Sequence, residues 1–300
     1  MSVVSMKVLL DRALAGGYAI GYFEAWDQYS MEASLEAAEF NGAPAIIGFG
    51  GAVVDQVWLD GGGLEQWAAL ARVLAERSAL PVAVLCNEVK TYAHIVRALK
   101  AGCNAVMLDT SALPFEENAA WTAKVVEVAH ALGATVEAEI GHLPDAATHG
   151  GATPDMGHRT DPDEAARFVA LTGVDALAVS VGNTHNLATG ESPVDLDLVA
   201  RLRDVTGVPL VIHGGTGFPA RAVREVIARG VAKFNVGTRL KQAYLDALRA
   251  ALSRPLQVSS IHEVVGSRST ADPLLAAKTA VQNDIASMIR LYGAAGRASE

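Results

Sequence analysis

The chain has 300 residues, 51% of them hydrophobic and 19% charged, a composition that fills a core and excludes a disordered chain. Its net charge is −9 and no basic run of five or more occurs, which speaks against nucleic-acid or anionic-membrane partners. Its two cysteines, Cys86 and Cys103, lack CxxC spacing and fit a reducing, cytoplasmic setting without disulfides.

The opening "MSVVSMKVLLDRALAGGYAI" contains Asp11, lacks the long apolar centre of a signal peptide, and reads as a helix ahead of the first strand. No 18 consecutive apolar residues occur, so no membrane span is expected. Short apolar runs follow at 18–23, 44–49, 82–86, 105–109, 135–139, 176–181, 209–213 and 233–236. Runs apolar on both faces are the mark of parallel strands covered by helices. Helical patterns fill the gaps. Ser30 is the expected cap of "SMEASLEAAEFNG", Thr91 opens "TYAHIVRALKAG", and Asp161 with Pro162 opens "DPDEAARFVALTG". "KAGCNAVML", "LTGVDALAV", "VTGVPLVI" and "ARGVAKFNV" repeat one order of helix, glycine, short turn and strand. Eight such units predict an α/β fold, a (β/α)8 TIM barrel as one domain over residues 1–300. One extra helix precedes strand 1 and another lies in "DPLLAAKTAVQNDIASMIRLYG" near the C-terminus. A doubly wound open sheet is the alternative, but no GxGxxG follows the first strand.

In a barrel the C-terminal strand ends share one mouth, where active sites sit. Here those ends carry Glu24 and Asp27, Asn87 and Glu88, Asp109 and Ser111, Glu139, His185, His213 and Asn235. Two histidines among carboxylates suggest a divalent metal, Zn, Mn, Co or Fe. The plain alternative for each is a hydrogen-bonded strand-end histidine. His94, His130 and His262 lie on helical or surface stretches and read as structural. The long stretch 141–162 holds His142, His149 and His158, either a second metal site or solvated loop residues. Glycine loops "HGGTGFP" and "NVGTRLK" follow strands 7 and 8, the usual place for a phosphate or carboxylate subsite in such barrels.

These residues resemble the class II, metal-dependent fructose-bisphosphate and tagatose-bisphosphate aldolase family. The resemblance rests on "GGYAI", "GCNAVMLDTSALPFEEN", "VEAEIGHL", "DALAVSVGNTHN", "PLVIHGGTG", "KFNVGTRLK" and the tail "DPLLAAKTAVQNDI", nearly the whole chain. It implies a reversible aldol reaction in which a divalent metal, usually zinc, polarises a ketone and stabilises an enediolate. The family's three histidine ligands match His185, His213 and, after strand 3, Glu88. The implied metal ligands are therefore Glu88, His185 and His213, and a carboxylate ligand tilts preference toward Mn, Co or Fe. The family's catalytic Asp is replaced by Asn87, whose amide hydrogen-bonds a hydroxyl but exchanges no proton. Where the family has Asn after strand 1, the chain has Glu24, the expected base. Glu139 matches a glutamate near the metal, and Asp109 and Ser111 match a "DxS" near metal or substrate. Gly214, Gly215 and Thr216, with Asn235, Gly237 and Thr238, match the cradle for a ketose phosphate. Asn186 follows His185 where the family often has glycine, which narrows that cradle.

The expected activity is a lyase acting on a ketose, ketose phosphate or keto-acid. A bisphosphate is disfavoured, because carboxylates crowd the mouth and Arg239, Lys241, Arg159 and Arg268 are isolated in sequence. A metal-dependent sugar isomerase or epimerase, and a non-catalytic sugar-binding homologue, are the alternatives. The resemblance also implies a homodimer or homotetramer, with the last helix packed either on a partner or on its own barrel.

Overall fold

The structure, a computed structural model, describes residues 2–141, 143, 159–184, 190–253 and 260–299. His185 and Asn186, and the loop histidines His142, His149 and His158, lie outside the described residues.

Eight parallel strands close into a barrel in sequence order, so the open-sheet alternative is excluded. They are β1 (Ile20–Phe23), β2 (Ala45–Gly50), β3 (Val82–Val89), β4 (Ala105–Leu108), β5 (Thr135–Ile140), β6 (Ala176–Val179), β7 (Leu210–Ile212) and β8 (Val231–Val236). β8 pairs with β1 in parallel, which completes the ring. Almost every strand residue is buried, as strands apolar on both faces require.

Helix α1 (Met6–Gly16) precedes the barrel, and α2 (Gln28–Phe40) links β1 to β2. Between β2 and β3, α3 (Gln56–Trp58) runs through a π-turn into α4 (Leu64–Arg77). The remaining crossovers are α5 (Tyr92–Ala101), α6 (Phe115–Ala131), α7 (Pro162–Thr172), α8 (Leu196–Thr206) and α9 (Ala220–Ala228). After β8 come α10 (Thr238–Leu252) and α11 (Pro273–Tyr292). Thr91 and Asp161 cap α5 and α7, and Gly102 and Gly173 end them in the left-handed conformation.

The cap of α2 is Asp27, not Ser30. Asp27 accepts from the Ser30 backbone N–H at 2.7 Å, and the Ser30 hydroxyl accepts from the Asp27 N–H at 3.0 Å. This reciprocal box satisfies two donors at once, which a start at Ser30 cannot do. Asp27 thus serves a helix end. The last helix packs on its own chain: α11 lies against α2, α9, α10 and β1. Lys278 of α11 reaches Glu36 at 2.6 Å and Glu32 at 3.1 Å on α2, and the Tyr292 ring stacks on Phe234 at 4.6 Å.

Candidate metal and substrate site

The apolar run of β3 does not stop at Cys86. Cys86 pairs with Val106 and Val89 with Leu108, so Asn87 and Glu88 together face the single residue Met107. This is a bulge, and Glu88 takes φ 49°, the left-handed region that L residues with side chains enter rarely. In a regular strand neighbours point to opposite faces; the bulge turns both Asn87 and Glu88 into one cavity. The Asn87 amide donates to Glu88 Oε2 at 2.9 Å, which fixes its orientation. Its Oδ1 is buried and has no hydrogen-bond partner among the described residues.

Opposite this bulge, strand β5 and the residue that follows β7 supply the rest of a charged cluster. Donor atoms of Glu88, Glu139 and His213 all lie within 4.8 Å of one another. His213 Nδ1 sits 2.7 Å from Glu139 Oε2 and 3.2 Å from Glu88 Oε1. Its other nitrogen, Nε2, is 2.9 Å from Glu137 Oε1. Glu137 in turn pairs with Lys233 Nζ at 2.8 Å, and both side chains are fully buried. Burial alone lowers the His213 pKa, but hydrogen bonds from its ring to the Glu137 and Glu139 carboxylates reverse this and hold it well above the usual imidazole range. Burial raises Glu137, yet the Lys233 ammonium and His213 hold it below the usual carboxylate range.

Two carboxylate oxygens and one imidazole nitrogen directed at a common place match the donor set of a borderline divalent ion. Glu137 anchors the ring from behind, as carboxylates do for metal-binding histidines. The residues present therefore fit a divalent metal. Relative to the sequence reading, Glu139 joins Glu88 and His213 in this cluster, and His185 falls outside the described residues.

A cavity of about 540 Å³ opens over the cluster. Glu24, Asn87, Glu88 and Glu139 line it, and so do Asp109 and Ser111. Asp109 is held by Lys90 at 2.6 Å and accepts from the Ser111 hydroxyl at 3.1 Å. From the glycine loops come Gly214, Thr216, Asn235, Gly237 and Thr238. Gly214 turns the chain at φ 66°, and a Cβ on Gly215 would meet the Asn235 carbonyl at 2.8 Å, so Gly215 permits the loops to touch without itself lining the space. The Thr216 hydroxyl accepts from the Arg239 N–H at 3.2 Å, tying the two loops together.

Glu24 stands apart from the Glu88–Glu139–His213 group. Its Oε2 is 3.1 Å from Lys241 Nζ. Its carboxylate lies close over two glycines: a Cβ on Gly50 would come 2.5 Å from Oε1, and one on Gly237 would come 2.3 Å from Oε2. Of the other cations singled out in sequence, Arg239 pairs with Asp284, Arg159 with Asp195 and Arg268 with Glu32, none of them lining the cavity.

Sequence reasoning passed over Tyr22, Glu137, Lys233 and Lys90. Three of these carry a signal of period two. Tyr22 precedes Glu24, Glu137 precedes Glu139 and Lys233 precedes Asn235 by two residues, so each shares the face of a residue already singled out. Tyr22 is 1% exposed, lines the cavity, carries Lys233 Nζ over its ring at 5.0 Å, and has a buried hydroxyl with no partner among the described residues. Burial, with Glu24 and Glu88 nearby, pushes its phenol well above the usual range, so it stays protonated.

A barrel with charged strand ends suits many chemistries, and comparison with known proteins narrows them. The model of the family described as fructose-bisphosphate aldolase class-II matches residues 4–297. Fructose-bisphosphate aldolase of Geobacillus stearothermophilus is 33% identical over 306 residues, covering 100% of both chains. YdjI of Escherichia coli K12 is 35% identical over 238 residues, 79% of this chain and 84% of the relative. Among solved structures, the YdjI aldolase superposes with a TM-score of 0.80 at 29% identity over 99% of each chain. Fructose-bisphosphate aldolase of Campylobacter jejuni, 19% identical over 98% of this chain and 96% of that one, shares the fold with a TM-score of 0.76. The family is one of lyases and is generally dependent on a divalent metal, in keeping with the donor set at the mouth. With the family pattern running from residue 4 to residue 297 and two relatives above 30% identity, this chain belongs to the class II fructose-bisphosphate aldolase family.

Proposed function

We propose that the protein is a divalent-metal-dependent lyase that makes and breaks a carbon–carbon bond next to the carbonyl of a ketose or keto-acid. The observation that carries this reading is the meeting of Glu88, Glu139 and His213 donor atoms within 4.8 Å at the mouth of an aldolase-family barrel. Glu88, His213 through Nδ1, and Glu139 would hold the ion, with His185 as the further donor expected from the sequence. When bound, the ion supplies Lewis-acid polarisation of a carbonyl oxygen. The carboxylate-rich set favours Mn, Co or Fe beside Zn.

The chain's own groups handle position and protons. Glu137, anchored on Lys233, holds the His213 ring through Nε2 and so directs Nδ1 toward the carboxylates. Asn87 Oδ1 accepts a hydrogen bond from a neighbouring substrate hydroxyl and so orients the chain of the substrate. Glu24 takes the proton of the hydroxyl beside the bond to be cleaved. The carbon–carbon bond then breaks, the hydroxyl carbon becomes an aldehyde, and the electron pair passes to the other fragment as an enediolate. Return of a proton to the enediolate carbon of that fragment completes the cycle.

Ketoses and keto-acids incubated with the purified protein and added Mn, Zn or Co should release an aldehyde fragment, and Glu88→Ala or His213→Ala should strip bound metal as read by elemental analysis. Metal content indifferent to both substitutions, or rearranged substrate without a fragment, sinks the reading. The second outcome marks an isomerase.

A further inference from the structure

The two glycine loops invite an anion by their position, after β7 and β8 and at the start of the 15-residue helix α10. The chain has placed its own anion there. Glu24 extends from the end of β1, its backbone N–H bonded to the Val236 carbonyl at 3.0 Å, alongside the last residue of β8. Its carboxylate reaches over Gly237, the residue that caps α10, and over Gly50. It is 3.1 Å from Lys241, a cation in the first turns of α10 that also lines the cavity. The room left by the missing Cβ of Gly237 is the room this carboxylate fills, since its Oε2 would stand only 2.3 Å from that atom. An incoming phosphate would meet a like charge at the same spot and a lysine already engaged.

Three buried polar atoms around the same cavity say what the substrate offers instead. Tyr22 Oη, Asn87 Oδ1 and Asn235 Nδ2 find no hydrogen-bond partner among the described residues, and their residues are 1%, 2% and 9% exposed. Asn87 and Asn235 are locked in orientation: the first donates to Glu88, and the second accepts from Lys233 Nζ through Oδ1. What remains is one acceptor, one donor and one hydroxyl that serves as either. Buried groups of this kind are costly unless a ligand or water satisfies them. An anionic oxygen has no hydrogen for Asn87 Oδ1, whereas a hydroxyl both donates and accepts.

We propose that Glu24, paired with Lys241, occupies from within the chain the anion seat of the β7 and β8 loops, and that the substrate end bound there is neutral and hydroxylated, not phosphorylated. This rests on the lyase reading for the word substrate, and it departs from the sugar bisphosphate in the family's name. The seat itself is testable without turnover. Inorganic phosphate is titrated into the wild-type protein and into Glu24→Ala and Glu24→Gln, with binding read by calorimetry and ³¹P line width. The wild type should bind phosphate weakly, and removal of the charge should tighten it by about tenfold or more. Glu24→Gln keeps the shape of the side chain and carries the test should Glu24→Ala fail to fold. Substituting Lys241→Ala in the tightened variant should abolish the gain. Wild type and both Glu24 variants binding phosphate equally overturns the inference and leaves the lyase reading standing. A protein that cleaves no ketose sinks the lyase reading, while tighter phosphate binding in the Glu24 variants still establishes the seat.

Discussion

The two ends of the cavity handle charge in opposite ways. At the β3–β5–β7 end, Glu88, Glu139 and His213 turn their donor atoms toward one another. Behind them Lys233 is committed to Glu137 and Asn235, one step removed. At the β8 end, Glu24 and Lys241 face each other at 3.1 Å and neutralise locally. The first end asks for a cation from outside the chain; the second leaves little demand for an anion. Carboxylates give a set of donors fit for a metal in one place and a neutral rim in the other, because what matters is whether the counter-charge is built into a neighbouring element.

Deleting the charge at the β8 end should have the largest effect on chemistry. Glu24→Gln keeps the hydrogen-bonding shape and removes the only group assigned to proton transfer. Loss of a general base lowers kcat by about 10²–10⁴-fold. Metal content measured on the same preparation should not change, because Glu24 is not in the Glu88–Glu139–His213 group. Retained kcat in Glu24→Gln removes Glu24 from the mechanism and leaves the β8 end with a positioning role only.

The architecture was largely legible in the sequence, and for physical reasons. Buried parallel strands must be apolar on both faces, and the recurring helix–glycine–strand order marks where each begins. Where the reading stopped short, a local device intervened. β3 looked complete at Cys86 because Asn87 and Glu88 are polar; a bulge with a left-handed residue carries the strand on to Val89. Ser30 looked like a cap because it opens the apolar pattern; the reciprocal bond with Asp27 moves the start back. The buried Lys233–Glu137 pair was invisible because a lysine in "KFNV" looks like a strand's exposed first residue, and only the closed barrel brings it to Glu137 from 96 positions away.

That pair is the next place to press on the comparison. Lys233→Met should destabilise the fold by about 3–5 kcal/mol, because it leaves the Glu137 carboxylate buried without its ammonium. The double substitution Lys233→Met, Glu137→Gln removes both charges and should recover much of that loss in denaturant midpoints. Metal affinity separates anchoring from stability: without the Glu137 carboxylate behind His213 Nε2 it should stay weakened by about 10–100-fold in the double variant. Metal affinity fully restored along with stability would mean that Glu137 only balances Lys233.

The smallest effect concerns backbone strain at the metal end. Glu88 holds φ 49° for the sake of aiming its carboxylate beside Asn87, whereas Glu24 at the other end is reached from a strand that needs no such turn. Glu88→Ala and Glu88→Gly both delete the carboxylate, and both should lose metal alike. They should differ in stability: glycine enters the left-handed region without the Cβ clash that alanine retains, so Glu88→Gly should be the more stable by about 1 kcal/mol. Equal denaturation midpoints for the two variants would mean that the bulge relaxes to an ordinary strand once the carboxylate is gone. The turn at residue 88 would then be held by the charged cluster rather than by the β3–β4 register.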